Sequence, residues 1–265
     1  MARSYEQPGR GWPLSYKDLD NKMGENPLKD FLRHLATADR VVHFNDFFRP
    51  VSDALVAATN NDHFIYTTVG GTATTWAHVA HQSGIIRGVS GTTAATSGLE
   101  IHTPVMYSGD LYCGAEVRYR TSNIVDRRIE FGFASTQPTV DTAYVNSLVT
   151  PTFNTTANGA VYEYHNASAT TTTGLYTIGT AITAAKTATT TNRPVNDTFQ
   201  RIRMQIIVNR VFVWVDGIPL VSHDAGTTNY IEGGTLAGMT LKILGTSTTD
   251  ANNDVDYLRT WQERL

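Results

Sequence analysis

The chain has 265 residues, a formal net charge of −3 and only 17% charged residues. That length suits one large all-β domain or two modest ones with a sizeable core, and the dispersed basic residues argue against a nucleic-acid partner. The single cysteine, Cys113, excludes an internal disulfide framework and is predicted to be a small buried side chain.

The first twenty residues, MARSYEQPGRGWPLSYKDLD, place charges and prolines where a signal peptide needs an apolar stretch. No run in the sequence approaches the ~18 apolar residues of a membrane helix. We therefore expect no membrane partner. We expect synthesis in a reducing cytoplasm, with retention there or assembly there into a particle that lysis releases.

Residues 1–45 are predicted to form an extended N-terminal arm with one short helix at about 27–38. In NPLKDFLRHLATAD, Asn26 can cap this helix, Pro27 suits its first position, and apolar residues recur at helical spacing. The helix either docks on its own domain or lies, with the rest of the arm, on a neighbouring subunit. In the second arrangement the predicted partner-binding residues are Trp12, Tyr16, Phe31, Leu32 and Leu35.

From Val41 onward the apolar residues follow a period of two, in runs such as LYCGAEVRYR, RRIEFGFA and VFVWVD. Turn-rich segments such as VGGT and NTTANG separate these runs. More than ten short strands without crossover helices predict an all-β fold for residues 46–265, with antiparallel sheets packed as a β-sandwich or jelly roll.

The best local pair of acidic residues is Asp126 and Glu130 in VDRRIEFGF, because residues four apart lie on one face of a strand. Glycosidases use two such carboxylates. Arg128 lies between them on the same face, however, and an adjacent arginine lowers the pKa of a carboxyl group, which is the wrong direction for a general acid. This pattern favours a structural ion pair over catalysis.

Asp250, Asn252 and Asp254 place oxygen-bearing side chains at positions one, three and five, as a calcium loop does. Val255 and Trp261 stand where an EF-hand needs glycine and glutamate, so that motif is excluded. A single structural Ca²⁺ and an Asx-type turn without an ion both remain open. No other cofactor is predicted.

The segment RIRMQIIVNRVFVWVDG (201–217) predicts a hairpin with one apolar face and one mixed face. Trp214 lies on the mixed face, where its ring is either a platform for a sugar or a packing contact with a neighbouring strand. Trp76, in TWAHVAH, is a second candidate for carbohydrate binding.

This hairpin, with the terminal VDYLRTW and the run RRIEFGFAS, resembles concanavalin A-like lectin and glucanase domains, including laminin-G-like modules. The resemblance covers roughly residues 45 to 265 and implies their two-sheet sandwich. Glucanases of this superfamily that cleave β-glucans carry E-x-D-x-x-E or a close variant, and no glutamate here is followed two residues later by aspartate. The catalytic role has no positions to occupy, so we expect a chain that is not an enzyme.

The polar, proline-containing arm ahead of a Thr-rich sandwich resembles virion proteins of tailed bacteriophages that decorate or cement a capsid. That resemblance implies a non-enzymatic, homo-oligomeric minor capsid protein located in the virion. Its partners would be the major capsid protein or neighbouring copies of itself, bound through the arm. The alternatives are a lectin-like module that binds a glycan on a phage fibre or particle surface and, third, a glycoside hydrolase or lyase.

Overall fold

The protein is described by a computed structural model that places residues 40–45, 47, 63–69, 75–79, 84–90, 97–125, 127–136, 143–144, 158–167, 170–179, 182–189, 193–207, 209–224, 231, 235–245 and 251–263. Within these ranges the regular elements are all strands. In chain order they are β1 (Arg40–Asn45), β2 (Ile65–Val69), β3 (Thr75–His78), β4 (Ile86–Ser90), β5 (Gly98–His102), β6 (Tyr107–Ser108), β7 (Cys113–Thr121), β8 (Arg127–Ala134), β9 (Gly159–Ala167), β10 (Thr170–Gly179), β11 (Ile182–Thr189), β12 (Gln200–Ile207), β13 (Arg210–Val215), β14 (Ile218–Asp224), β15 (Leu236–Gly245) and β16 (Ala251–Glu263).

The strands form two antiparallel sheets. Sheet 1 has the order β14-β13-β12-β7-β16-β4-β3, with β1 also paired to β16. Sheet 2 has the order β11-β10-β9-β8-β15-β5-β2, with β6 also paired to β15. The prediction of an all-β antiparallel sandwich is therefore confirmed. In the described ranges no helix is long and apolar enough to cross a membrane.

The core lies between the two sheets and is built by strict alternation along the strands. In sheet 1, Met204 of β12 pairs with Val213 of β13, and both belong to the buried apolar cluster. Phe131 and Leu241 of sheet 2 belong to the same cluster and are fully buried. The other residues of each strand lie on the outer faces of the sandwich.

The turn between β13 and β14 follows from Asp216 and Gly217, which both adopt left-handed backbone conformations, with φ of 52° and 79°. Two central residues with positive φ match the right-handed twist of paired strands, and Asp-Gly is a preferred sequence for such turns. The Asp216 side chain also accepts a hydrogen bond from the backbone N–H of Arg201 at 2.7 Å. The hairpin predicted from the sequence is present and continues into a third strand.

The sandwich includes residues that the sequence analysis assigned to the arm. Residues 40–45 form β1 and pair with β16 from Leu258 to Glu263, so the predicted boundary at residue 46 falls after the first strand. The predicted helix at 27–38, and the arm residues Trp12, Tyr16, Phe31, Leu32 and Leu35, lie outside the described residues. Their partner-binding role stays a prediction.

Trp76 belongs to the core, which corrects its prediction as a carbohydrate platform. Its side chain is 1% exposed, its ring packs edge-on against Tyr66 at 6.5 Å, and its indole N–H donates to the carbonyl of Thr67 at 3.3 Å. A ring enclosed in this way presents no face to a sugar. Its function is packing between β3 and the neighbouring strands.

We expect Trp76→Ala to lower the free energy of unfolding by about 3–5 kcal/mol, because it leaves a large cavity in the core. Trp214→Ala is the matched control, since Trp214 is only partly buried on an outer face, and it should cost about 1 kcal/mol or less. Urea denaturation of both variants measures the difference. Equal losses would contradict the placement of Trp76.

Burial favours the neutral form of five histidines in the described part of the chain. His63 stacks on His43 with ring centroids 3.5 Å apart, and its Nε2 lies 2.7 Å from the Tyr107 hydroxyl. Burial, and then the proximity of His43, lowers the pKa of His63 from 6.5 to about 4. Burial is also the largest cause of lowered pKa values at His43, His102, His165 and His223.

The lowered pKa values of these histidines predict that the folded protein becomes less stable as the pH falls. The unfolded chain binds protons at histidine near pH 6.5, whereas folded His63 binds one only near pH 4, so the free energy of unfolding should fall as the pH drops from 6.5 towards 4. Urea denaturation at several pH values in this range measures the slope. His63→Gln should flatten it, and an unchanged slope in that variant would contradict the role of His63.

Candidate functional site

The outer face of sheet 2 carries a row of charged side chains from four adjacent strands. Side chains alternate between the two faces of each strand. A residue adjacent along the chain to a core residue therefore lies on the outer face, and this applies to neighbours of four core residues: Leu99, Leu241, Phe131 and Tyr162. In register across the sheet, these neighbours are Glu100 of β5, Lys242 of β15, Glu130 of β8 and Glu163 of β9. We call these four residues the charged row.

Arg128 joins two of the carboxylates. Its Nε lies 2.6 Å from Oε1 of Glu163 and 3.4 Å from Oε1 of Glu130. Nδ1 of His165, which pairs with Arg128 across the strands, lies 3.9 Å from the same oxygen of Glu163. Burial, and next the positive charge of Arg128, lowers the pKa of His165 to about 4, so this imidazole is neutral at pH 7.

Glu100, at the other end of the row, has a different environment. Burial raises the pKa of its carboxyl group, although the nearby charge of Lys242 acts in the opposite direction. The Lys242 Nζ lies 3.8 Å from Oε2 of Glu100, and the Thr240 hydroxyl donates to Oε1 at 3.0 Å. His102 has its pKa lowered by burial and by Lys242.

Among the described residues, the carboxylates of the row outnumber the cations beside them. Three glutamates face two permanent cations, Lys242 and Arg128, and the two adjacent histidines are neutral at pH 7 by the pKa shifts above. A buried group of like charges holds a proton on one of its members, since full ionisation is too costly. Glu100 is the carboxyl group of the row whose pKa is raised, with burial as the largest cause.

Tyr144 covers the row. Its backbone N–H donates to Oε2 of Glu130 at 2.7 Å, and its ring centroid lies 4.7 Å from Nζ of Lys242. Tyr144 also packs with Tyr176, Val161 and Ala134 in a small apolar cluster on this outer face. The row is consequently buried in this structure, and a ligand that reaches it must displace Tyr144.

The sequence analysis identified part of this site. It predicted the ion pair of Arg128 with Glu130, which the structure contains, while Asp126 lies outside the described residues. It missed Glu100, Glu163 and Lys242. The available signal was a single charged residue inside each of three otherwise apolar runs, LEI, VYEY and LKIL.

Two of the three predicted calcium-binding residues lie in a strand. Asn252 and Asp254 belong to β16, and Asp250 lies outside the described residues. The Asp254 carboxylate accepts from Arg87 at 2.6 and 2.9 Å and from Arg120 at 2.8 Å. Among the residues that the structure places, no three His, Cys, Asp or Glu side chains are grouped to hold a metal ion. A calcium ion stays a prediction.

Trp214 lies where the sequence predicted, on the outer face of sheet 1. Its ring stacks with that of Phe212 at 5.8 Å, and the Arg203 guanidinium lies 5.2 Å from its centroid. Trp214 is partly exposed, in contrast to Trp76. It lies in sheet 1, on the opposite side of the sandwich from the charged row.

No protein-family model and no curated protein matches the chain, but solved structures do. An immunostimulatory antigen and pseudo beta-1,3-glucanase of Mycobacterium tuberculosis is 10% identical with a TM-score of 0.54, over 84% of this chain and 98% of that one. An endo-1,3-beta-glucanase from Streptomyces sioyaensis is 11% identical with a TM-score of 0.51, over 86% and 98%. The carbohydrate recognition domain of Emp47p is 11% identical with a TM-score of 0.51, over 83% and 96%.

The fold is a concanavalin A-like β-sandwich of the kind found in glucanases and lectins. The expectation that the chain is not an enzyme is contradicted, because an endo-1,3-beta-glucanase has this sandwich over almost its whole length. That expectation is withdrawn. At 10–11% identity these likenesses define the fold alone, and they lend no support to a capsid decoration role.

Proposed function

We propose that the protein binds a carbohydrate chain on the outer face of sheet 2 and hydrolyses a glycosidic bond there. The observation that carries this proposal is the charged row, in which glutamates from separate strands meet on one outer face. The fold is compatible with carbohydrate binding, since glucanases and a carbohydrate recognition domain share it. Glycosidases work with two carboxyl groups, one protonated and one ionised.

Glu100 and Glu130 fit the two roles. Glu100 has the raised pKa that a general acid needs. Glu130 contacts Arg128 and accepts a hydrogen bond from the Tyr144 backbone N–H, and we assign it the role of general base. One strand, β15, lies between them, so their Cα atoms are about 10 Å apart, twice the strand spacing. This Cα separation leaves room for carboxyl groups at the roughly 6.5–9.5 Å spacing of the inverting reaction, in which a water molecule beside the carboxylate attacks the anomeric carbon.

The remaining residues of the site have positioning roles in this proposal. Glu163 shares Arg128 with Glu130 and so fixes the guanidinium in place. Lys242 lies beside Glu100 and can donate to a sugar hydroxyl once the Tyr144 ring has moved. When the substrate enters, the contact of Lys242 with the Tyr144 ring is replaced by a hydrogen bond from Lys242 to a sugar hydroxyl.

We expect the chain to release reducing ends from a β-1,3-glucan such as laminarin or from a mixed-linkage β-glucan. Glu100→Gln and Glu130→Gln should each lower the rate at least about a hundredfold, as expected for loss of a general acid or base. Glu116→Gln is the matched control, because Glu116 is equally buried but lies in sheet 1, on Arg259. Thermal melts identify the folded fraction of every variant.

Binding is measured separately, by electrophoresis in gels that contain each polysaccharide. Retardation without hydrolysis would refute the catalytic half of the proposal and retain the carbohydrate-binding half. If neither retardation nor hydrolysis occurs with any neutral or acidic polysaccharide, the whole proposal for sheet 2 is refuted. Loss of activity in Glu116→Gln at full folding would contradict the assignment to sheet 2.

Assembly into a virus particle, with a capsid shell or further copies of the chain as partners, is a separate proposal. It is supported by the sequence of residues 1–45 and by the composition alone. A carbohydrate-active sandwich attached by such an arm would combine both proposals. Mass spectrometry of purified particles tests it, and absence of the chain from them would refute it.

A further inference from the structure

The outer face of sheet 1 carries a strip of arginines. Each of them alternates with core residues of its own strand and is partly exposed. Their order across the sheet is set by the pairing of β12 with β7, of β7 with β16 and of β16 with β4. The arginine strip consists of Arg203, Arg201, Arg118, Arg120 and Arg87.

The acidic partners of the strip lie deeper than the arginines do. The Asp254 side chain is 2% exposed, whereas those of Arg87 and Arg120, which it pairs with, are 34% and 24% exposed. The Arg118 side chain is 43% exposed and its partner Asp256 is 26% exposed. The guanidinium groups therefore form the accessible layer, with the carboxylates beneath them.

Arg201 lies directly opposite Arg118 in the paired strands. Like charges in directly opposed positions repel each other. Asp256 pairs with Arg118, while in the described part of the chain no carboxylate pairs with the Arg201 guanidinium. An anion held between the two arginines would relieve this repulsion and would accept from both guanidinium groups.

Aromatic rings accompany the strip. Arg118 and Arg120 lie over the Phe199 ring at 4.4 and 4.7 Å, and Arg203 lies over Trp214 at 5.2 Å. Stacking on a ring holds a guanidinium plane in one orientation and leaves its N–H groups available at the edges. Trp214 and Phe212 together offer partly exposed ring surface beside the cations.

We propose that this face binds an acidic polysaccharide, a chain of sugar rings that bear sulfate or carboxylate groups. The anionic groups match the guanidinium groups of the arginine strip, with Arg201 and Arg118 as the central pair. The apolar face of a sugar ring packs on Trp214.

The site is independent of the hydrolysis proposed for sheet 2, since it lies on the opposite outer face and shares no residue with the charged row. A polysaccharide held on sheet 1 would keep the protein on an acidic glycan surface. Failure of either proposal leaves the other unaffected, because the variants that test them are on different sheets.

The test measures binding to dextran sulfate and to polygalacturonate, with unmodified dextran as the neutral control, by isothermal titration calorimetry at low and moderate salt. Arg201→Gln should weaken binding to the acidic polymers about tenfold, the usual effect of losing a charge-assisted hydrogen bond. Trp214→Ala should weaken it by a similar factor. Arg210→Gln is the matched control, because this exposed arginine lies at the other end of the same hairpin and pairs with Asp224.

Preference for one of the two acidic polymers identifies sulfate or carboxylate as the recognised group. Equal binding to neutral dextran would overturn the proposal, as would unchanged affinity in Arg201→Gln at full folding. A single-stranded oligodeoxynucleotide bound more tightly than either acidic polymer would also overturn it. Arg201→Lys is a second variant for the case in which Arg201→Gln unfolds, and it should give an intermediate affinity, since lysine keeps the charge but loses the planar fork.

Discussion

The structure depends on burying charged side chains in pairs on the outer faces of its two sheets. Glu116 and Arg259 in sheet 1 are 2.9 Å apart and almost completely buried, and the charged row of sheet 2 is buried to a similar extent. A buried charge without its partner costs several kcal/mol. Replacing one member of such a buried pair is therefore costly, although both members lie outside the apolar core.

The two outer faces differ in what their charges leave available. Among the described residues of the charged row in sheet 2, three glutamates lie beside Lys242 and Arg128, and burial raises the pKa of Glu100. In sheet 1 the arginines lie above their carboxylates and present donors to the solvent. One face thus carries the glutamates proposed as acid and base, and the other carries the arginines proposed to bind anionic groups. Both properties arise from alternation in the same sandwich.

The sequence predicted the sandwich because alternation and turn residues are local signals. The Asp216-Gly217 turn, for example, needs no knowledge of distant contacts. Alternation does not say which face of a short strand is buried, and this ambiguity explains the wrong prediction for Trp76. The D-x-N-x-D spacing of Asp250, Asn252 and Asp254 has the period of a strand as well as that of a calcium loop, and Asn252 and Asp254 lie in β16.

The charged row shows why an absent motif was a weak argument against catalysis. E-x-D-x-x-E concentrates its acidic residues on one strand, so a search along the sequence can find it or exclude it. Here Glu100, Glu130 and Glu163 are far apart in sequence, and only the pairing of β5, β15, β8 and β9 brings them into one row. Cross-strand register places side chains about 5 Å apart per strand, which is as close as neighbouring positions on one face of a single strand. Carboxyl groups on separate strands can therefore meet at catalytic distances without any local signature.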